Sequence, residues 1–338
     1  MPNFKNRVEF RNTLVAMANG ETTTNLIRCV YKALLRREAD ATGIEHWTRY
    51  ISKHSAESFV AQLLKSEEYA SLIYKDEVER SEIARIATLT SSMVKSKLTI
   101  VDIGSVDLPN TPHMWAELAN HCPVHVIGFD PLDEPKDEVS YPDFGKFGLT
   151  RTTKNVALGD GHTHTLHVNS DASTSSFFEL DVREPYEHLS TLTTVSSMQI
   201  PTSRMDDINL ASPIDLLKMD IQGAELMVLE HALQTLKNVG TIYIEAGFTS
   251  YYKEQPLMPE IDIFLRSHGF RLVDIFPAHY PFIGITEVLT RDTLMWGDLY
   301  YIKETADEQV LASQALIAAT LFNKANLAAY LLSHTSKR

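Results

Sequence analysis

The chain has 338 residues, room for two or three domains, and 44% hydrophobic residues, enough to bury a sizeable core. Acidic residues outnumber basic ones to give a net charge of −13. That surface suits neither nucleic-acid phosphates nor anionic membranes. Cys29 and Cys122 form no disulfide framework or zinc pattern and read as buried free thiols. Met1 to Asn12 carries Lys5, Arg7 and Arg11 without an apolar run behind them, and no stretch approaches the roughly 20 apolar residues that span a bilayer. A cytoplasmic protein is expected.

In chain order, residues 1–95 read as a helical module and linker. Leu26, Ile27, Val30, Tyr31, Leu34 and Leu35 recur at helical spacing. Asp40 and Gly43 mark a turn, and Ile44, Trp47 and Ile51 define a second helix. Phe59, Val60, Leu63 and Leu64 define a third, expected to end near Tyr69. Tyr74 to Met93 reads as a helix or a linker.

Residues 96–303 alternate strands and helices, the mark of an α/β fold with a mostly parallel, Rossmann-like sheet. Strands are expected at Leu98–Gly104, Val124–Phe129, Asp215–Met219, Thr241–Glu245, Phe270–Phe276 and Leu294–Ile302. Asn155 to Val168 reads as a hairpin turning at Gly159–Gly161. Helices are expected after Thr111-Pro112, at Ala224–Leu236 and at Ile261–His268. Residues 304–338 space Leu311, Leu316, Leu321, Leu327 and Leu331 as amphipathic helices, either capping the domain or forming an oligomer contact.

Ligands of open α/β sheets bind outside the carboxyl ends of the strands, so polar residues there carry weight. Asp102-Ile-Gly104-Ser105 ends the first strand; the glycine admits close backbone approach of a ligand, or makes an ordinary tight turn. Asp130 ends the second, where a carboxylate can accept from both hydroxyls of a ribose, or simply form an Asp-Pro turn. Lys218 and Asp220 share one face of a strand that is otherwise apolar. Buried charge is costly unless paired or used, so they are a site or a structural ion pair. Glu225 sits in the first turn of the next helix, where the dipole alone favours it. Glu245 ends the neighbouring strand; with Asp220 it could hold a divalent cation or share acid–base work, and otherwise it is a solvated glutamate.

In order along the chain, Asp102-Ile-Gly104, Phe129-Asp130-Pro131, Ala157-Leu-Gly-Asp160, Ser175-Ser176, Met205-Asp206-Asp207 and Lys218-Met-Asp220-Ile-Gln222-Gly223-Ala-Glu225 resemble the FkbM-type S-adenosylmethionine-dependent methyltransferases. The last motif is the most specific. Leu108 departs from a glycine of that pattern, Asp130 from a glutamate, and Gln222 from the glutamate of its Glu-Gly pair. The resemblance implies a Rossmann-like methyltransferase domain. Asp102, Gly104, Ser105 and Asp130 would hold S-adenosylmethionine, with Ala157 and Leu158 flanking the adenine. Asp220, Lys218 and Glu245 would be catalytic, Asp220 and Glu245 being also the candidates for a metal.

The implied acceptor is a hydroxyl of a sugar, glycan or secondary metabolite. The segment Tyr31-x-x-Leu34-Leu35-x-Arg37-x-x-Asp40-x-x-Gly43-x-x-x-Trp47, followed by Phe59, Leu63, Ser66, Glu68 and Tyr69, resembles a small helical bacterial domain found beside glycan-modifying enzymes. Arg37 is expected to pair with Asp40. A second copy or a glycan-biosynthesis enzyme is the partner expected at the helical ends. The alternatives are a methyltransferase-like binding module without activity and a nicotinamide-dependent oxidoreductase, the latter opposed by the missing Gly-x-Gly-x-x-Gly. His162, His164 and His167 read as hairpin histidines, with a metal site as the sharper alternative.

Overall fold

The computed structural model describes residues 23–94, 97–104, 114–132, 134–181, 192–210, 213–280 and 293–335. The chain divides into two compact units, Met1–Glu82 and Ile83–Arg338.

In the first unit the apolar spacing folds as α1 (Thr23–Leu35), α2 (Ala41–Ile51) and α3 (Ala56–Leu64). Leu26, Ile27, Val30, Tyr31, Phe59, Val60 and Leu63 form its core. Asp40 caps α2, its Oδ1 accepting from the amide of Gly43 at 2.6 Å. The Trp47 indole donates to the Tyr31 hydroxyl at 2.8 Å. The third helix stops at Leu64, earlier than expected, because Ser66 starts a new one by accepting from the Tyr69 amide. That helix, α4 (Glu67–Ser91), covers the segment from Tyr74 that could have been a linker. Arg37 grips Glu68 through two bonds of 2.6 and 3.0 Å, not Asp40, whose carboxylate is committed to the cap. Cys29 lies on the outer face of α1 and is exposed, contrary to expectation; Cys122 is buried.

The second unit is built on an eight-stranded sheet. Its strands are β1 (Leu98–Ile103), β2 (Val124–Phe129), β3 (Lys136–Tyr141), β4 (Leu149–Lys154), β8 (Ile214–Met219), β9 (Val239–Gly247), β10 (Phe270–Tyr280) and β11 (Thr293–Lys303). They lie in the order β10-β11-β9-β8-β1-β2-β4-β3. The run from β9 to β4 is parallel, and β11 and β3 join antiparallel.

Side chains alternate across this sheet. Leu98, Ile100, Val126, Leu216 and Tyr300 face one layer, with α7 (Glu308–Thr320) and α8 (Ala325–Ser333). Val101, Ile103, Phe129, Leu217, Met219 and Ile244 face the other, with α5 (Glu225–Glu230) and α6 (Met258–Ser267). This is the Rossmann-like arrangement, with helices on both faces of a mostly parallel sheet. Helix α5 is half its expected length, since the chain turns after Glu230. The apolar side of α7 is spent inside the unit: Leu311, Ala315 and Leu316 are buried, and Gln314 donates to the carbonyls of Gly240 and Lys303 at 2.8 and 2.9 Å.

A smaller sheet holds β5 (Ala157–Leu158), β6 (Thr163–Asn169) and β7 (Thr194–Ser203) in the order β5-β7-β6. The expected hairpin of β5 with β6 does not form. Both pair with β7 instead, β5 in parallel and β6 antiparallel, so β7 supplies the ladder for each.

Candidate active site at the carboxyl edge of the sheet

From β1 the chain order runs one way to β2, while β8 lies on the other side, so a crevice opens at the carboxyl ends of β1 and β8. Backbone bonds beyond the strands align the polar residues there. Gly104 donates to Phe129 O at 3.0 Å, Asp130 to Lys154 O at 3.2 Å, and Asp220 to Ile103 O at 3.1 Å. Asp130, Gly104 and Asp220 therefore stand side by side. Glu245 follows on β9, where Met219 is in register with Ile244.

Gly104 has φ +76°, and a Cβ there would lie 1.8 Å from the carbonyl oxygen of Asp220. What approaches this glycine closely is thus the backbone of β8's end, and the missing side chain lets the two strand ends meet. Behind it, on the α7 face, Asp102 is buried at the position in register with Lys218. The Lys218 ammonium lies 3.5 Å from Asp102, from Asp220 and from the Gly104 carbonyl. Burial opposes the Lys218 charge, but the two carboxylates outweigh it and its pKa is raised. Asp130 is buried at the end of β2, with Oδ1 accepting from the Leu132 amide at 2.7 Å. Ala157 and Leu158 are buried in β5, just past the end of β4, with Leu158 in the core. Ser105, Leu108 and the helix start at Thr111 lie outside the described residues.

Asp220 and Glu245 are brought together, with Gln222 between them. The side-chain amide of Gln222 donates to Asp220 Oδ1 at 2.9 Å and to Glu245 Oε1 at 3.0 Å. Burial raises the Glu245 pKa above the ordinary carboxylate range, with the charges of Asp220, Glu225 and Asp298 adding to it, which favours its protonated form. Glu225 is structural: it accepts from the amides of Ile221 and Gly223 at 2.8 and 2.9 Å and closes the turn between β8 and α5. Its complete burial pushes it to about 7.

The other matching motifs also hold the scaffold. Ser176 Oγ donates to the Gln222 carbonyl at 2.5 Å and accepts from the Phe178 amide. Asp206 accepts from the amides of Gln234 and Thr235 and from the Thr235 hydroxyl. The three histidines do not converge. His162 precedes β6, the His164 ring bonds Asp160 at 2.9 Å, and the His167 ring faces Ser197. Among the described residues no group of three histidine, cysteine or acidic side chains is placed to hold a metal ion.

A cavity of about 310 Å³ opens onto Asp220, Gln222 and Glu245. It is also lined by Asp171, Ser173 and Thr174, by Tyr251 and Tyr252, and by Met295 and Trp296. Sequence reasoning missed these, because they come from three loops and strand ends remote in sequence. It also missed Asp298 and Tyr243. Asp298 stands opposite Glu245 in the β9–β11 ladder and accepts from the Tyr243 hydroxyl. The signal for Asp298 was available: like Lys218, it is a charged residue inside an apolar strand.

Residues 105–272 match the family model described as the methyltransferase FkbM domain. Among solved structures, the chain is similar to magnesium protoporphyrin IX methyltransferase (ChlM) from Synechocystis PCC 6803 with bound SAM. The likeness has 11% identity over 85% of this chain and 99% of that one, with a TM-score of 0.29. The same enzyme with bound SAH gives 9% identity over 84% and 100%, also with a TM-score of 0.29. No curated protein matches the chain. Among the described residues no helix is long and apolar enough to cross a membrane.

Proposed function

We propose that this chain, which carries an FkbM-type S-adenosylmethionine-dependent methyltransferase domain at residues 105–272, methylates a hydroxyl of a sugar, glycan or secondary metabolite. The observation that carries the reading is the row Asp130, Gly104, Asp220 at the switch point of the sheet, beside a cavity walled by acids and aromatic rings. The donor set suits a nucleoside: a carboxylate accepts only, as ribose hydroxyls require, and it sits beside a tight glycine turn.

S-adenosylmethionine, when bound, supplies a methyl carbon activated by its sulfonium. Asp130 would hold the ribose, Gly104 and Ser105 the methionine end, and Ala157 and Leu158 the adenine. Asp102 holds Lys218 from behind, and Lys218 holds Asp220. Asp220 orients the acceptor hydroxyl and takes its proton as the oxygen attacks. Glu245, whose raised pKa favours its protonated form, donates a hydrogen bond to the acceptor. Holding the reacting atoms in line can contribute about 7–11 kcal/mol to the rate. The N-terminal helical unit, with its resemblance to modules beside glycan enzymes, favours a glycan acceptor and a glycan-biosynthesis enzyme or a second copy as partner.

Calorimetric titration with S-adenosylhomocysteine tests this reading. Micromolar binding is expected, weakened at least about tenfold in Asp130→Ala, the loss of about 1.4 kcal/mol that charge-assisted bonds to a ligand supply. No binding to the intact protein would turn the assignment to a methyltransferase-like binding module.

A further inference from the structure

We propose that Gln222 is the positioning residue of this centre, its side-chain amide standing where a divalent cation would otherwise bridge Asp220 and Glu245. What the two acids are positioned for rests on the methyltransferase reading; the bridge itself does not.

Two acids facing one cavity need something between them. A cation would neutralise both, whereas an amide nitrogen has two hydrogens in one plane and offers one to each. Gln222 does this at 2.9 and 3.0 Å. Its other end is fixed as well, because the Tyr252 hydroxyl lies 2.8 Å from Gln222 Oε1. The same hydroxyl lies 2.7 Å from the Thr174 carbonyl, which competes for its one proton, so the amide is oriented from the other end: the Asp220 carboxylate, paired with Lys218, only accepts and takes the nitrogen.

The backbone points the same way. Gln222 has φ +57°, a left-handed conformation unusual for a residue with a side chain. A glycine would adopt it freely, yet the glycine comes next, at Gly223. The Ser176 hydroxyl pins the Gln222 carbonyl in this strained turn. Such strain persists where the surroundings over-determine it, and here it swings the amide into the gap. Because an amide adds no charge, burial and the neighbouring acids still hold the Glu245 pKa up, against the lowering by the amide's own hydrogen bond. Exchanging that nitrogen for oxygen would place three carboxylate groups within hydrogen-bond reach of each other, a set that hard divalent cations bind.

Manganese(II) titrated into wild-type protein and into Gln222→Glu, followed by electron paramagnetic resonance, tests the proposal. The wild type is expected to bind none below about millimolar concentration, and folded Gln222→Glu to bind at least about tenfold more tightly. Stoichiometric binding by the wild type that Glu245→Gln removes would overturn the proposal. So would folded Gln222→Glu binding no better than the wild type.

Should that variant fail to fold, Gln222→Met assigns the wild-type side-chain amide resonance by its absence. That resonance is expected to exchange slowly with solvent and to shift as Glu245 titrates, but not in Glu245→Gln. Rapid exchange without a pH response would overturn the bridge. Failure of the wild type to bind S-adenosylhomocysteine would strike the methyltransferase reading and leave each of these outcomes standing.

Discussion

Gly104→Ala would drive a methyl group into the joint between β1 and β8. The new Cβ would lie 1.8 Å from the Asp220 carbonyl oxygen and 3.1 Å from Cγ2 of Ile221, and real Cβ contacts do not close below 3.0 Å. The strand ends must therefore part by about 1 Å in a core that resists overpacking. The backbone bond across that joint, Asp220 N to Ile103 O, stretches as they do and is worth about 0.5–1.5 kcal/mol net. Holding an alanine at φ +76° adds about 1–2 kcal/mol. The expected loss of stability is about 1.5–3.5 kcal/mol, read by urea denaturation of the intact chain. S-adenosylhomocysteine affinity should fall with it, since the displaced turn lies next to Asp130. A variant within about 0.5 kcal/mol of the wild type, with unchanged affinity, would refute the claim that this glycine joins the two strand ends.

Asp220→Asn keeps the shape of the side chain but removes the proton acceptor. Turnover on an acceptor, once one is found, should drop by at least about a hundredfold while S-adenosylhomocysteine still binds; joint loss would remove the division of labour between Asp130 and Asp220. Lys218→Met leaves Asp102 and Asp220 without the ammonium between them. About 3–5 kcal/mol should be lost at pH 7 in urea denaturation, and part of it regained in the double variant Asp102→Asn, Lys218→Met. Equal losses in the two variants would show that packing, not charge, is what the lysine contributes.

Asp215, on the opposite edge of the sheet, accepts from the Thr99 amide at 2.8 Å and is pushed by burial from 3.8 to about 6. The folded state thus holds its proton longer than the unfolded chain, and stability falls as pH rises through that window, by about 3 kcal/mol. Asp215→Asn should flatten this slope in denaturation curves measured between pH 4 and 7. An unchanged slope would assign the pH dependence to other groups.

Several elements were legible because their signals are local. The strands β1, β2 and β8 announce themselves as apolar runs ended by Gly104, Asp130 and Asp220, and a parallel sheet must have its ligand crevice at such ends. Helix α1 and the cap at Asp40 follow from spacing and a single side chain. Strands β4 and β7 were not legible. Their sequences, Leu-Thr-Arg-Thr-Thr-Lys and Thr-Val-Ser-Ser-Met-Gln-Ile-Pro-Thr-Ser, are mostly polar. They are held by ladders to neighbours, not by an apolar face of their own.

By itself, then, the sequence determined the alternation of strands and helices and the chemical character of each strand end, because both depend on residues a few positions apart. Only the tertiary structure decided who meets whom. Arg37 found Glu68 across a helix boundary, β5 found β7 across more than one turn of the chain, and the cavity drew its walls from three remote segments. Gln222 changed from a departure in a motif to the bridge between Asp220 and Glu245 for the same reason. A hydrogen bond acts over about 3 Å of space, and the chain brings residues that close without regard to their separation along it.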